Sequence, residues 1–403
     1  MRVIFLNRYF YPDHSATSQM LSDLAFFLAG TGREVCVITS GQRYDDATAV
    51  LPPHERVDGV VVFRVRSSRF GRDRLPGRAV DYASFYLAAG WQLWRSARAG
   101  DIVVAKTDPP LISVPASLVA RWRGARLVNW VQDVFPEVAE ALGMRALAGP
   151  LAALLRRLRG GTLKRAALNV ALSPRMAEAL AHAGAPAAGT RVIPNWADKE
   201  AIRPVAAADN PLRREWGLEG KFVVCYSGNL GRAHEFDTML DAAQSLALKA
   251  QNIRFLFIGS GAQRRAVEQA AQRRGLANVL FRPYQQRGQL SLSLGIGDVH
   301  LVSLRPALEG YIVPSKLYGI LAAGRPTVFI GDPQGEIALL LERERIGVSV
   351  AQGDADDLAE KLLRLAGDAG LREAMGSRAR ALLCERYDKG IALRAWQEVL
   401  KTL

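Results

Sequence analysis

The residues with the clearest chemistry lie between Leu308 and Pro326, LEGYIVPSKLYGILAAGRP. Glu309 is a lone carboxylate beside Gly310. Pro314 and Ser315 open a helix: Pro presets the backbone, and Ser offers a hydroxyl to the N–H groups of the first turn. Lys316 falls in that turn, where the helix dipole disfavours a cation unless an anion is close. Loop, helix N-terminus and Lys together suit a diphosphate. The helix runs through Leu317, Ile320 and Leu321, stops at Gly324, and leads into an apolar strand, Thr327–Ile330. The competing reading is an ordinary βαβ helix whose Lys points into solvent.

Five further groups end strands. Arg126–Val131 runs into Gln132-Asp133-Val134-Phe135-Pro136-Glu137, where Asp133, and secondly Glu137, suit a catalytic base or a sugar-hydroxyl acceptor. The alternative for Asp133 is an N-cap of the next helix. Arg2–Asn7 is a buried strand, followed by a polar loop, Tyr9–Thr17. Ligands of doubly wound sheets bind beyond the C-terminal strand ends, which places Tyr11, Asp13, His14, Ser15 and Thr17 at such a site; plain turn chemistry is the alternative. Lys221–Tyr226 ends in Ser227-Gly228-Asn229-Leu230-Gly231-Arg232-Ala233-His234-Glu235, Arg254–Ile258 in Gly259-Ser260-Gly261, and Val279–Arg282 in Pro283-Tyr284-Gln285. Glycines let backbone N–H groups approach a ligand, and Arg232 can pair with phosphate. Their recurrence in one half implies a nucleotide site, although no GxGxxG dinucleotide fingerprint is present.

The elements that position these groups alternate strand and helix. A helix over about Ser18–Ala29 buries Leu21, Leu24, Ala25 and Leu28 and is followed by a strand, Glu34–Thr39. At 403 residues the chain is too long for one core, so two α/β domains are expected. The first spans 1–195, the second 196–385, with polar, irregular Asn195 to about Pro211 as the linker. Leu358–Leu403 is helical.

Of the net charge of +14, residues 1–195 supply +10, from 25 Lys+Arg against 15 Asp+Glu. A basic first half suggests a polyanionic partner: nucleic acid, an anionic membrane or a phosphorylated substrate. Nucleic acid fits worst, since no recognisable module is present and aromatics are not interleaved with basic residues. The segment Leu147–Leu168, with Arg156, Arg157, Arg159, Lys164 and Arg165, reads as a basic amphipathic contact with a membrane surface; a solvated face is the alternative. The basic loop Ser67–Arg78 (Arg69, Arg72, Arg74, Arg78) precedes a helix with Tyr82, Phe85, Tyr86, Trp91 and Trp94, aromatics that read as core; loop and helix lying at a membrane interface is the alternative. Cys36, Cys225 and Cys384 have no metal-binding spacing and read as core residues in a reducing compartment. The N-terminus lacks a signal-peptide h-region and no apolar run reaches membrane-spanning length. The expectation is a cytoplasmic protein, soluble or peripheral.

These motifs resemble the retaining GT-B glycosyltransferases of family 4, in the bacterial branch that builds O-antigen, capsule and exopolysaccharide units on a lipid carrier. The carrying motifs are Tyr11-Pro12-Asp13, the run Val131–Glu137, Val192-Ile193-Pro194-Asn195, Ser227–Arg232, Phe257-Ile258-Gly259-Ser260-Gly261, and Val313-Pro314-Ser315-Lys316-Leu317-Tyr318 with Ala322-Ala323-Gly324-Arg325-Pro326. The resemblance implies an α/β, GT-B fold: two Rossmann-like doubly wound domains facing across a cleft, with a last helix, about 386–403, packing back on the first domain. It implies transfer of a sugar from a nucleotide-diphosphate donor, UDP- or GDP-linked, to a polyprenyl-diphosphate-linked saccharide, with retention and without a metal, at the cytoplasmic face of the inner membrane. Glu309 and Asp133 would be catalytic. Gly228, Asn229, Arg232, His234, Gly259, Ser260, Tyr284, Gly310, Tyr311, Val313, Ser315 and Lys316 would hold the donor, and Tyr11, Asp13, Ser15, Thr17 and Glu137 the acceptor. The chain departs from the family pattern: Tyr311 and Gly319 stand where two Glu residues usually fall, Asn229 and His234 where Arg and Lys do, and Gln132 where a His does. The diphosphate therefore falls to Arg232 and Lys316. A nucleotide-sugar epimerase of the same fold is the alternative, but it would need more acid–base groups than Asp133, His14 and Glu309.

Overall fold

The computed structural model describes residues 2–43, 51–70, 75–144 and 149–403. Arg72 and Arg74 of the basic loop, and Leu147 of the amphipathic segment, lie outside the described residues. The chain divides into two compact units: Met1–Pro194 with Gly310–Val313 and Ala392–Leu403, and Asn195–Glu309 with Pro314–Ile391.

The first unit is built on eight strands: β1 (Val3–Leu6), β2 (Val35–Ser40), β3 (His54–Val57), β4 (Val60–Val65), β5 (Ile102–Lys106), β6 (Arg126–Trp130), β7 (Leu168–Ala171) and β8 (Thr190–Val192). Their order is β3-β4-β2-β1-β5-β6-β7-β8. All neighbours are parallel except the β3–β4 pair. Central strands β1, β2 and β5 are buried along their whole length, as a sheet covered on both faces requires. Helices α1 (Ala16–Gly30), α2 (Leu75–Ser96), α3 (Ser113–Arg123), α4 (Glu137–Ala141), α5 (Pro150–Arg165) and α6 (Pro174–His182) connect them.

The second unit holds β9 (Phe222–Ser227), β10 (Ile253–Ile258), β11 (Val279–Arg282), β12 (Val299–Ser303), β13 (Thr327–Gly331) and β14 (Gly347–Ala351), all parallel, in the order β11-β10-β9-β12-β13-β14. Its helices are α7 (Pro211–Glu215), α8 (Asp237–Lys249), α9 (Arg264–Arg273), α10 (Leu290–Gly295), α11 (Lys316–Ala322), α12 (Glu336–Glu344), α13 (Ala355–Gly367) and α14 (Ala369–Leu382). The last helix, α15 (Lys389–Lys401), carries Trp396, which lies against Trp130 of β6 at 4.7 Å between ring centroids.

The expected strands recur within a residue or two of their predicted ends. Strands β3 and β14 were not expected. The first alternates exposed and half-buried side chains, and the second buries only Val350, so neither carries a strong apolar signature. The stretch read as a linker is pinned to the second unit. Arg380 donates to the carbonyls of Lys199, Ile202 and Ala322, Lys389 pairs with Asp198, and Trp196 is buried. The aromatic helix α2 is core on one side only. Phe85, Ala89 and Leu93 are fully buried, while Trp91 and Trp94 are exposed.

Candidate functional site

In the second unit the site grows from the C-terminal ends of β9, β10 and β12. At the ends of β9 and β10 two loops lie backbone on backbone. Gly228 N–H donates to Ile258 C=O, Gly259 N–H to Arg282 C=O, and Leu230 N–H to Ser260 C=O. A Cβ on Gly259 would stand 2.0 Å from the Gly228 oxygen, at a φ of 137° open only to glycine. This corrects one expectation. Gly228 and Gly259 permit the two loops to pack, and their own N–H groups are occupied within the protein.

Lys316 does not point into solvent. Its Nζ donates to the Tyr226 hydroxyl, sits 3.7 Å from the centre of the Tyr226 ring, and lies 3.4 Å from His234 Nε2. His234 Nδ1 lies 2.5 Å from the Ser303 carbonyl. A carbonyl only accepts, so Nδ1 carries the proton and Nε2 turns its lone pair toward the ammonium. Burial, and then the charge of Lys316, lower the His234 pKa to about 3, which keeps the ring neutral. Burial holds the Lys316 pKa well below the usual amine value. Among the described residues no carboxylate forms an ion pair with Lys316. The Ser315 hydroxyl does not cap α11, another departure from expectation.

Of the remaining expected donor residues, Gly310, Tyr311 and Val313 fall in the first unit and the others in the second. Arg232, Asn229, Ser260 and Tyr284 are exposed, and Gly310, Tyr311 and Val313 are half-buried. Glu309 is committed to α12, whose first N–H (Glu336) it accepts through Oε1 at 2.6 Å; its Oε2 would stand 2.9 Å from a Cβ on Gly335. At Gly319 a Cβ would come within 3.3 Å of Leu294 Cδ1.

In the first unit the ends of β1, β5 and β6 converge. Asp133 is not an N-cap, since α4 begins four residues later, behind Pro136. It forms an isolated antiparallel bridge with Ile312, and Val134 N–H donates to the Tyr311 carbonyl at 3.0 Å. The Asp133 side chain is exposed, with protein atoms close enough to strip part of its hydration. That desolvation, with the Asp108 charge added, raises its pKa to about 7. Thr17 Oγ1 donates to Asp108 Oδ2 at 2.7 Å. Asp13 is buried and accepts the Ser15 N–H at 2.8 Å, Ser15 sits at the N-cap of α1, and Tyr11 packs edge-on against Phe26. Glu137 is held by Arg159 at 2.6 Å, with Arg156 at 3.9 Å, and Arg156 also pairs with Glu140. Two arginines of the proposed membrane segment thus neutralise α4, and Arg159 is buried.

Sequence reading missed Tyr226, Asp108 and Lys106. Lys106 is fully buried; its Nζ donates to the Thr17 carbonyl at 2.8 Å and lies 3.7 Å from the centre of the Trp130 ring. Burial lowers its pKa well below the usual value against the opposing charges of Asp108 and Asp23. The available signal was a lysine closing an otherwise apolar strand, IVVAK, with a carboxylate two residues later.

The second unit thus presents an ammonium that no carboxylate pairs among the described residues, and the first unit a carboxylate of raised pKa. Among the described residues no group of His, Cys, Asp and Glu could hold a metal ion. Residues 16–196 match the glycosyl transferase 4-like domain and residues 209–382 the glycosyl transferases group 1 family. The chain is 26% identical over 352 residues to the putative colanic acid biosynthesis glycosyl transferase WcaI of Escherichia coli K12, covering 85% of this chain and 86% of that one. It is 27% identical over 337 residues to the probable glycosyltransferase WbjE of Pseudomonas aeruginosa, covering 83% of each. Its fold is shared by sucrose-phosphate synthase from Thermosynechococcus elongatus (TM-score 0.78, 17% identity, 100% and 99% of the two chains). It is shared too by Anabaena HepE in complex with UDP-glucose (TM-score 0.74, 18% identity, all of both chains). With one match on each unit and a shared GT-B fold, the chain belongs to the group 1 glycosyltransferases with a 4-like first domain.

Proposed function

We propose that the protein moves a hexosyl or N-acetylhexosaminyl group, with retention, from a UDP- or GDP-linked donor to a polyprenyl-diphosphate-linked saccharide in surface-polysaccharide assembly. The relative named for colanic acid biosynthesis supports the setting, and HepE solved with UDP-glucose supports the donor class. The observation that carries the reading is Lys316: a half-buried, poorly solvated ammonium held by a phenol and a neutral imidazole, with no carboxylate paired to it among the described residues. A cation of this kind is stabilised by a bound anion.

In this reading Lys316 and the exposed Arg232 take the diphosphate, and no metal is needed. The glycosidic C–O bond to phosphate breaks as the acceptor oxygen bonds to the anomeric carbon on the same face. The acceptor proton passes to the departing phosphate oxygen, giving a nucleoside diphosphate. Glu309 orients the donor sugar from its anchored position at α12, and Asp133, with Tyr11, Asp13, Ser15, Thr17 and Glu137, serves the acceptor. Transfer takes place at the cytoplasmic face of the inner membrane.

A thermal-shift panel of UDP, GDP, dTDP, CMP and their sugars, without metal, tests the donor half. A ligand that binds only the folded protein raises Tm. The expected result is a rise with one nucleoside diphosphate that disappears in Lys316→Met; no rise with any of them would refute the donor assignment.

A further inference from the structure

The basic segment of α5 is the obvious membrane contact in the sequence, but the structure points elsewhere. Helix α2 buries Phe85, Ala89 and Leu93 and turns the opposite stripe outward: Leu87 is 77% exposed, Trp91 64%, and Trp94 and Arg95 are exposed beside them. Helix α3 buries Ala116, Val119 and Ala120 and turns out Leu118 and Trp122, the latter 69% exposed, with Arg121 between them in sequence. The two helices pack on each other. Trp94 and Trp122 meet edge to face at 5.8 Å, and the Arg123 guanidinium lies 5.3 Å from the Trp94 ring centre. Single exposed apolar residues are ordinary, whereas a contiguous exposed patch marks an interaction surface.

The surrounding charge identifies the partner. From Tyr82 to Gly100 and from Pro109 to Gln132 the chain has no Asp or Glu, and it carries Arg95, Arg98, Arg121, Arg123 and Arg126. Trp rings favour the boundary between headgroups and acyl chains, and Arg stems lie along apolar surface while their heads reach phosphate. Within α5, by contrast, Arg156 and Arg159 are engaged by Glu140 and Glu137.

We infer that the Leu87–Trp91–Trp94 stripe of α2, with Leu118 and Trp122 of α3, is the surface that docks the protein on an anionic lipid bilayer. The helices lie in the plane of the interface, and no helix among the described residues is long and apolar enough to cross it. The purpose of docking, access to a lipid-linked acceptor, rests on the function proposed above; the binding does not.

The test is co-sedimentation of the whole chain with phosphatidylcholine vesicles, with and without phosphatidylglycerol, alongside light scattering in solution. The protein is expected to pellet with the anionic vesicles. The double variant Trp91→Glu/Trp122→Glu should bind them at least about tenfold more weakly, and Arg95→Gln/Arg121→Gln about twenty-five-fold more weakly, since each basic residue near the surface is worth about fivefold. All four side chains are exposed or partly exposed, so Tm and diphosphate binding should not change. Wild-type protein left in the supernatant, or equal pelleting of the Trp variant, overturns the inference. So does a wild-type dimer that Trp91→Glu/Trp122→Glu makes monomeric, because the patch would then join two copies. Failure of diphosphate binding with vesicle binding intact would remove the proposed transferase chemistry and leave the docking surface standing.

Discussion

Lys316 and His234 form a pair in which one partner alone carries charge. Nζ lies 3.4 Å from Nε2, and the imidazole proton is fixed on Nδ1 by the Ser303 carbonyl. A second cation there would be repelled in a poorly solvated site, so the pair presents one positive charge, on a flexible stem, to an incoming anion. Lys316→Met keeps the length of the side chain and removes the charge. It should lower kcat/KM by about a hundredfold or more while Tm stays level or rises, because a poorly solvated charge without a counter-ion is gone. Unchanged turnover would remove Lys316 from the site.

Binding should also move a proton. The Lys316 pKa lies well below the usual amine value because burial disfavours the charged form. A diphosphate placed against it favours the charged form, so wherever the free lysine has begun to lose its proton the protein takes up protons as the nucleotide binds. Calorimetry of UDP or GDP binding in two buffers of different ionisation enthalpy reads this directly. Uptake should vanish in Lys316→Met; equal heats in both buffers would show that the lysine is already charged.

Asp133 sets a pH dependence of opposite origin. Its pKa is raised to about 7 by desolvation, then by Asp108. If the carboxylate serves the acceptor, kcat/KM should rise with pH through about 7 and level off above it. Asp108→Asn removes the neighbouring charge and should shift that rise to lower pH. Asp133→Asn should lose it altogether; an unchanged profile in Asp133→Asn would assign the titration to another group.

Stability should fall in acid on account of two histidines. Burial lowers His300 to about 4, and burial with Lys316 lowers His234 to about 3. Below about 6.5 the unfolded chain takes up protons that the folded chain refuses. Stability is therefore full above that pH and declines from about pH 6.5 toward 4. Urea unfolding across this range should show the decline, with a shallower slope in His300→Gln. A slope identical to wild type would mean that His300 is protonated in the fold.

Glu137 distinguishes structure from substrate contact. It is the carboxylate that neutralises buried Arg159, at 2.6 Å. Removing one partner of a buried pair costs about 3 kcal/mol, so Glu137→Gln should lower Tm by several degrees. A raised acceptor KM with an unchanged Tm would instead make Glu137 primarily an acceptor ligand.

The alternation of buried strands, helices and glycine turns is local, and it was readable from the chain: uninterrupted apolar runs such as Val3–Leu6 and Phe222–Tyr226 can be little else than central parallel strands. The identity of Lys316 as the candidate diphosphate lysine was readable too, because Pro314-Ser315-Lys316 follows a glycine loop. What tertiary structure decided was each side chain's partner. Nothing local says that Tyr226, ninety residues earlier, supplies the hydroxyl and ring beneath Lys316, or that Glu309 is spent on α12. Local pattern likewise gave Arg159 to a membrane and Trp91 to the core, and packing reversed both, since α4 brings Glu137 to the arginine and α2 buries only its Phe85 side. Periodicity fixes the element and its apolar face. Which charge meets which, and which aromatic stays outside, depends on elements distant in sequence that fold beside it.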